Sequence, residues 1–296
     1  MQRKLLFIVN PKSGKKNSGK IIESIHASLS GKLNYEIALW TNINEFNIIA
    51  EKLKNENFTD AIAVGGDGSV NLVAKTILNT SLTLGIVPAG SGNGLARSLG
   101  IFINTKKAVQ QIIDGKTELI DSGEVNGQAF FCTSGVGFDA HIGNLFANLP
   151  KRGLKTYIKL ISKEFFSYKP HRYSVIANGK EIKKEAFFIT VANAGQFGNN
   201  FYIAPGAKLN DGLFNVVIVR PVKLLTALAL IFKVTRGKAD KSRNIETFAC
   251  EELTIKREGA GSVHFDGEPH VLEANLNYKI KPKSLRVIVG PKFNGV

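Results

Sequence analysis

The chain has 296 residues, 44% of them hydrophobic and 21% charged, so it can bury a sizeable core in one large domain or two ordinary ones. Its net charge of +15 favours anionic partners such as nucleotides, nucleic acid or acidic membrane surfaces. Two isolated cysteines, Cys132 and Cys250, argue against a disulfide framework or structural zinc site and favour a reducing, cytoplasmic compartment. The apolar stretch 224–232 is too short to span a bilayer, which takes about 20 apolar residues.

Strand and helix signals alternate over roughly the first 120 residues, and such alternation predicts a parallel sheet with helices on both faces. The predicted strands are Leu5–Val9, Tyr35–Trp40, Ala61–Val64 and Leu84–Val87. The predicted helices are Lys20–Leu29, Glu45–Lys54, Ser69–Leu78 and Lys106–Asp114.

After Asp121 the sequence is typical of antiparallel β structure, with Asn-Gly at 126–127 and 178–179 and Asp-Gly at 211–212 and 266–267 as turns. Helical stretches are predicted at about 141–165 and 221–236. The predicted strands are Gln128–Thr133, Tyr173–Ala177, Ala186–Ala192, Phe214–Val219, Glu252–Arg257 and Asn277–Lys281, and a last strand, Leu285–Val289, fits either domain. We therefore expect an α/β nucleotide-binding domain over 1–123, with 284–296 as a candidate to return to it, and a mainly antiparallel β-sandwich domain over 124–283.

Three glycine-rich turns directly follow predicted parallel strands. They are Asn10–Gly14, Gly65–Ser69 and Pro88–Gly94. Ligands of open α/β sheets bind at the carboxyl ends of the strands, and glycine lets the backbone approach a phosphate. The third turn reads G-x-G-x-G after the fourth strand, which is not the Rossmann pattern, and no Walker A sequence occurs. One such turn is weak evidence, but three at one sheet edge predict a phosphate-binding site.

The middle turn carries a carboxylate, Asp67, flanked by Gly66 and Gly68. An exposed acid beside bound phosphate suits Mg²⁺, which takes few protein carboxylates and keeps water. The alternative interpretation is a helix-capping aspartate in a tight turn.

These motifs together resemble the catalytic domain of diacylglycerol kinases, shared with sphingosine and ceramide kinases and soluble bacterial relatives. The resemblance covers almost the whole chain, with departures at Leu72 and Gly94, where family members often carry acids. It implies a fold like those of diacylglycerol kinases and NAD kinases. The motifs occur in the family's order: Asn10–Gly14, Gly65–Ser69, Pro88–Asn93, Gly137–Asp139, Ala204-Pro205 with Asp211–Leu213, and Asp266–Glu268.

The resemblance implies an ATP- and Mg²⁺-dependent kinase that phosphorylates a lipid hydroxyl, either diacylglycerol-like or sphingoid. The residues that it implies for ATP are Asn10, Pro11, Lys12, Ser13, Gly14, Thr41, Gly65, Gly66, Asp67, Gly68, Ser69, Val70, Asn71, Ser91, Gly92 and Asn93.

The resemblance also implies the metal and catalytic residues. Asp67 would organise the catalytic Mg²⁺, supported by Asp121. Asp266 and Glu268, on the second domain, would face the nucleotide, and one of them would be the general base. Asp266 is preferred. A second, structural Mg²⁺ would bind Asp211 and the carbonyls of Lys208 and Leu213.

The expected partner is a lipid substrate at a membrane surface, reached from the cytoplasm by peripheral contact with the inner face. Two basic stretches, Lys151–Arg172 and Leu224–Arg243, are candidates for that contact, with a solvated helix face as the alternative. Nucleic acid is not expected as a partner, because the sequence has a high positive charge but no nucleic-acid-binding motif. The sequence leaves open whether the protein forms a homodimer. The competing functions are a NAD kinase-like enzyme and a non-catalytic nucleotide- or lipid-binding regulator.

Overall fold

The computed structural model describes residues 2–13, 18–149 and 154–295, and the chain divides into two compact units. Unit 1 comprises Met1–Asp121 and Pro282–Val296, and unit 2 comprises Ser122–Lys281. The sequence placed both boundaries two residues later, at 123 and 283 instead of 121 and 281. Unit 2 is thus an insertion in the sequence of unit 1, and the chain passes between them within strands β5 (Thr117–Val125) and β16 (Asn275–Ile288).

Unit 1 alternates strands and helices, as the sequence predicts. Its other strands are β1 (Lys4–Val9), β2 (Asn34–Leu39), β3 (Asp60–Gly65) and β4 (Thr83–Pro88). Its helices are α1 (Ser18–Leu29), α2 (Ile43–Asn55), α3 (Asp67–Ile77), α4 (Gly94–Ser98) and α5 (Thr105–Asp114).

The strands of unit 1 form a parallel sheet in the order β2-β1-β3-β4-β16. Strands β3 and β4 are buried along their whole length, which explains their unbroken apolar sequences. Helices α1 and α5 pack on this sheet through residues such as Ile25 and Ile112, which share a core with Phe7 and Ile62. This parallel sheet confirms the predicted fold class of the first domain.

The last predicted strand, Leu285–Val289, is not a separate element. It is the end of the 14-residue strand β16, which also contains the predicted strand Asn277–Lys281. Arg286 and Val287 pair in parallel with Thr83 and Leu84 of β4, so this end of the strand belongs to unit 1.

Unit 2 contains most of the antiparallel strands. They are β6 (Gln128–Phe130), β7 (Thr133–Gly137), β8 (His171–Ala177), β9 (Lys180–Ala186), β10 (Phe188–Ala192), β11 (Phe214–Val219), β12 (Ile245–Cys250), β13 (Glu252–Lys256), β14 (Gly261–Phe265) and β15 (Glu268–Leu272). The helices are α6 (Phe138–Ala147), α7 (Leu154–Ser167) and α8 (Leu224–Thr235), with a 3-10 turn at Ala239–Lys241.

Two sheets of unit 2 enclose one apolar core, which confirms the predicted β-sandwich. One sheet has the order β12-β11-β10-β7-β14-β15, and the other contains β13, β8, β9 and the first half of β16. Phe214 and Phe265 of the first sheet share the core with Ile255 and Tyr278 of the second. The opposite face of the first sheet is covered by the helices, because Val217 and Val219 pack with Leu230 and Val234 of α8.

Three of the four predicted turns are tight hairpins. Asn126-Gly127, Asn178-Gly179 and Asp266-Gly267 each place two successive residues at positive φ, as a type I′ hairpin turn requires. Strand β9 was not predicted, because its sequence KEIKKEA is mostly charged and it pairs only with β8 at the sheet edge. The helical stretch predicted at 141–165 is two helices, α6 and α7. Within the described part of the chain, no helix is long and apolar enough to cross a membrane.

Candidate active site

The three glycine-rich turns lie at one edge of the unit 1 sheet. Strands β1, β3 and β4 are neighbours and run in parallel, so their carboxyl ends share that edge. The first turn follows β1 at Asn10, the second follows β3 at Gly66, and the third follows β4 at Ala89. The predicted cluster of three turns is therefore present, at the sheet edge where ligands of such sheets bind.

The carboxylate of Asp67 joins the second turn to the third. Its two oxygens accept hydrogen bonds from the main-chain N–H groups of Asn93 at 2.9 Å and Gly94 at 2.7 Å. Asn93 has a left-handed φ of 51° and closes its own turn, since its side chain accepts from the Gly90 N–H and donates to the Gly90 carbonyl. Asp67 therefore fixes the third turn and satisfies the first N–H groups of α4.

Ser69 joins the second turn to the first. Its hydroxyl accepts a hydrogen bond from the Asn10 amide at 3.1 Å and lies 3.3 Å from the hydroxyl of Ser13. Asn10 in turn accepts from the main-chain N–H of Lys12, which closes the first turn. All three turns are thus linked by side chains that the motifs specify.

Glycine at three of these positions is required by packing within and between the turns. A β-carbon on Gly90 would lie 2.6 Å from the Cα of Gly66, and one on Gly92 would lie 2.7 Å from a carboxylate oxygen of Asp67. A β-carbon on Gly65 would lie 2.6 Å from the side chain of Ser69. The sequence predicted that these glycines let the backbone approach a phosphate, and the contacts within and between the turns show that packing also requires them.

The start of α3 has the features of an anion site. Its N-cap residue is Gly66, which supplies no side-chain cap, so an anion could take that place at the positive end of the helix dipole. Asn71, only 4% exposed, has a side-chain Nδ2 without a hydrogen-bond partner among the described residues. A buried donor left unpaired costs about 1–3 kcal/mol. A phosphate group would supply the missing acceptor, so these residues fit the phosphates of a nucleotide.

The remaining predicted nucleotide residues differ in exposure. Lys12 donates from Nζ to the carbonyl of Thr41 at 3.2 Å, which brings the ends of β1 and β2 together. The Thr41 N–H donates to Glu45, and this hydrogen bond lowers the pKa of the Glu45 carboxyl below its ordinary value. Ser91 is exposed. Pro11 and Gly68 are partly exposed, and the Val70 side chain is buried in the core. Gly14 lies outside the described residues.

Asp67 can still bind a metal while it holds the third turn. Each of its oxygens accepts one N–H, and a carboxylate oxygen has a second lone pair. Over residues 2–13, 18–149 and 154–295, no three His, Cys, Asp or Glu side chains form a metal-binding group. The donors fit Mg²⁺ held mainly by phosphate oxygens and water, with Asp67 as its protein ligand.

The structure does not bring Asp121 to Asp67. Asp121 is buried and accepts a hydrogen bond from the main-chain N–H of Lys283 at 2.7 Å. Lys283 precedes Arg286, which pairs with Thr83 at the amino end of β4. The glycine-rich turns follow the carboxyl ends, so the length of β4 separates Asp121 from them.

The turn of the predicted structural metal site precedes β11. The Asp211 carboxylate accepts a hydrogen bond from the Leu213 N–H at 3.1 Å, and Asp211 is partly exposed whereas Lys208 is exposed. The hydrogen bond is that of an Asx turn. The structural Mg²⁺ at this turn stays a prediction.

Asp266 and Glu268 occupy different positions in the hairpin turn between β14 and β15. The Asp266 carboxylate accepts three main-chain hydrogen bonds, from Phe131, Cys132 and Thr133, at 2.6–2.9 Å. Glu268, at the start of β15, is exposed. Asp266 therefore anchors the turn, and Glu268 extends from it toward solvent.

An acid–histidine pair next to this turn was not foreseen as a site. His264 Nε2 lies 3.1 Å from Oδ2 of Asp139, and His264 Nδ1 is buried with no partner in the described part of the chain. Gly135 leaves room for the pair, since a β-carbon there would lie 2.8 Å from both side chains. Asp139 belongs to a motif that the sequence singled out, whereas His264 is 125 residues away and only the strand pairing of β7 with β14 brings it close.

Comparison with known proteins agrees with the two-unit architecture. Residues 4–125 match the diacylglycerol kinase catalytic domain, and residues 133–289 match the YegS C-terminal NAD kinase beta sandwich-like domain. A diacylglycerol kinase of Bacillus subtilis is 26% identical over 277 residues, which is 88% of each chain.

Solved structures share the fold. A diacylglycerol kinase from Bacillus anthracis superposes with a TM-score of 0.76 at 18% identity, over 99% of this chain and 98% of that one. Yeast NADH kinase is a more distant likeness, with a TM-score of 0.55 at 10% identity over 98% of this chain and 84% of that one. The fold is therefore that of the two-domain lipid and NAD kinases.

The chain belongs to the family defined by the diacylglycerol kinase catalytic domain and the YegS C-terminal domain. Family membership makes it a kinase, as the sequence predicted.

We expect Asp67→Asn to destabilise unit 1 by about 1–3 kcal/mol, because the amide NH₂ would face the N–H of either Asn93 or Gly94 and leave it unpaired. The only tryptophan, Trp40, is buried in unit 1, so its fluorescence during urea unfolding reports on this unit. Asp114→Asn, at an exposed site in the same unit, is the control and should change stability by less than about 0.5 kcal/mol. Equal unfolding curves for the two variants would show that Asp67 does not hold the turns.

Proposed function

We propose that this protein transfers the γ-phosphate of ATP to the hydroxyl of a diacylglycerol-like or sphingoid lipid, with Mg²⁺ as cofactor. The observation that carries the proposal is the cluster of three linked turns, with an uncapped helix start and an unpaired buried amide, in a chain of this family. Phosphoryl transfer depends mainly on positioning and charge stabilisation, which such a cluster can supply.

The phosphates would be held by the first turn of α3 and by the amide of Asn71. Asn10, Ser13 and Thr41 would bound the nucleotide on the side of β1 and β2, and Ser91 on the side of β4. Bound Mg²⁺ would neutralise charge on the phosphates, and Asp67 is the residue that would hold it.

The lipid hydroxyl must lose its proton to a base during the transfer. The carboxylates of the Asp266–Glu268 turn are the proposed source of that base. Asp266 has three main-chain donors to hold it in place, whereas the Glu268 side chain is exposed.

The reaction is tested with γ-labelled ATP, Mg²⁺ and a panel of acceptors in mixed micelles. The panel contains diacylglycerol, monoacylglycerol, phosphatidylglycerol and a sphingoid base, with NAD as a soluble acceptor. We expect label in at least one lipid and none in NAD. Label in NAD alone would overturn the lipid assignment, and label in no acceptor would overturn the kinase reaction proposed for these substrates.

Asn71→Ala should weaken ATP binding while the free protein stays folded, because the change removes a donor that has no partner in the described structure. A hydrogen bond to a charged group is worth about 1.5–3 kcal/mol, which is roughly 10- to 100-fold in affinity. ATP at about 100 times its Kd stabilises a protein by about 2.7 kcal/mol, so the ATP-induced rise in Tm, followed by Trp40 fluorescence, should shrink clearly in the variant.

Ser24→Ala is the matched control for Asn71→Ala. The Ser24 hydroxyl is also buried without a partner among the described residues, but it lies on α1, away from the turns. Its variant should keep the full ATP-induced rise. An equal rise in the Asn71 variant would contradict the role proposed for that amide.

Glu268→Gln should lower kcat by about 10²–10⁴-fold, the usual contribution of a general base, and change stability by less than about 0.5 kcal/mol because the side chain is exposed. Asp266→Asn should lower both kcat and Tm, since one amide oxygen replaces two carboxylate oxygens as the acceptor for three N–H groups. The measurements are steady-state kinetics below the unfolding transition and thermal unfolding by circular dichroism. Near wild-type kcat in both variants would mean that the turn has no catalytic role.

A further inference from the structure

Helix α8 exposes an unusually apolar surface. Among the large hydrophobic residues that the described structure leaves exposed, five lie on this one helix: Leu224, Leu225, Leu228, Ile231 and Phe232. Leu225 is 81% exposed, the largest exposed fraction in that set. Contiguous apolar surface of this kind marks a site where a soluble protein meets a partner or a membrane.

The exposed residues form one stripe opposite the packed face of the helix. Leu230 and Val234 are buried against the sheet of unit 2. At 3.6 residues per turn, Leu225, Leu228 and Phe232 lie about 160–220° around the axis from Leu230. Packing within unit 2 therefore accounts for the inner face and leaves the outer stripe uncovered.

Basic residues surround this stripe. Between residues 220 and 243 the chain has seven basic residues and one acid, Asp240. Arg236 lies over the ring of Phe232, 3.9 Å from its centroid, so a positive charge directly adjoins the apolar surface. The basic residues are Arg220, Lys223, Lys233, Arg236, Lys238, Lys241 and Arg243.

We infer that α8 docks this protein on an anionic lipid surface, with the stripe of Leu225, Leu228 and Phe232 inserted among the lipids and the basic residues on the headgroups. An apolar helix face with a basic border is the pattern of helices that lie in the membrane interface. The 12-residue helix is too short to cross the bilayer, so it lies along the surface. This docking goes beyond the proposed reaction, because it needs neither ATP nor catalysis.

The positive charge around the stripe argues against a second copy of the chain as the partner that covers it. A symmetric dimer through this stripe would place the same basic border against itself, on two chains that each carry a net charge of +15. An anionic bilayer instead offers opposite charge and apolar volume together, and each basic residue near such a surface adds to the attraction.

The test is sedimentation of the full chain, without ATP, with sucrose-loaded vesicles of phosphatidylglycerol and phosphatidylcholine or of phosphatidylcholine alone. We expect binding to the mixed vesicles and much weaker binding to phosphatidylcholine. The variant Leu225→Gln/Leu228→Gln/Phe232→Gln should bind the mixed vesicles at least about tenfold more weakly, and Arg236→Gln/Lys238→Gln/Lys241→Gln likewise.

The matched control replaces exposed apolar residues elsewhere, Ile48→Gln and Val271→Gln, which are 72% and 65% exposed in the native chain. It should bind like the native protein, and all variants should keep its Tm because the changed side chains are exposed. Equal binding by the α8 variant and the control would overturn the inference. So would equal binding to both vesicle types, or a native dimer in light scattering that the α8 variant converts to monomer. Phosphorylation of lipid in detergent micelles, measured in parallel, reports on the proposed reaction separately from docking.

Discussion

The candidate site of unit 1 depends on the two hydrogen bonds that the Asp67 carboxylate accepts from Asn93 and Gly94. They hold the turn after β4 against the turn after β3, at a spacing so close that a β-carbon on Gly90 would lie 2.6 Å from the Cα of Gly66. The same carboxylate stands in the first turn of α3, where phosphate and metal would bind. One side chain thus sets the shape of the site and would also take part in its chemistry.

Unit 2 uses a carboxylate in a similar way. Asp266 accepts three main-chain N–H groups and sits at a φ of 51°, followed by Gly267 at 85°, so the acid and the turn stabilise each other. In each unit, an aspartate of a family motif accepts main-chain hydrogen bonds that hold a turn in place. Loss of activity on changing either acid therefore has to be read together with a measurement of stability.

The sequence was most informative where local chemistry decides the structure. Short apolar runs such as Ala61–Val64, each followed at once by a glycine-rich segment, favour buried strands that end in turns, so the sheet edge and its cluster were predictable. Contacts between distant segments were not: the pairing of His264 with Asp139 follows from the β7–β14 register, and the position of Asp121 follows from that of β16. No local signal separates a glycine that approaches a phosphate from one that, like Gly90, packs against another loop.

The insertion of unit 2 within unit 1 has a consequence for synthesis on the ribosome. The central part of the chain, Ser122–Lys281, contains nearly all of its own strands and can fold once it has emerged. Unit 1 must wait, because strand β16 joins β4 only through residues near position 286, about 200 residues after their partners in β4 (286 − 83). The nascent nucleotide unit therefore keeps one edge of β4 unpaired until the segment around residue 286 has emerged, and an exposed strand edge in that interval is a target for chaperones or for aggregation.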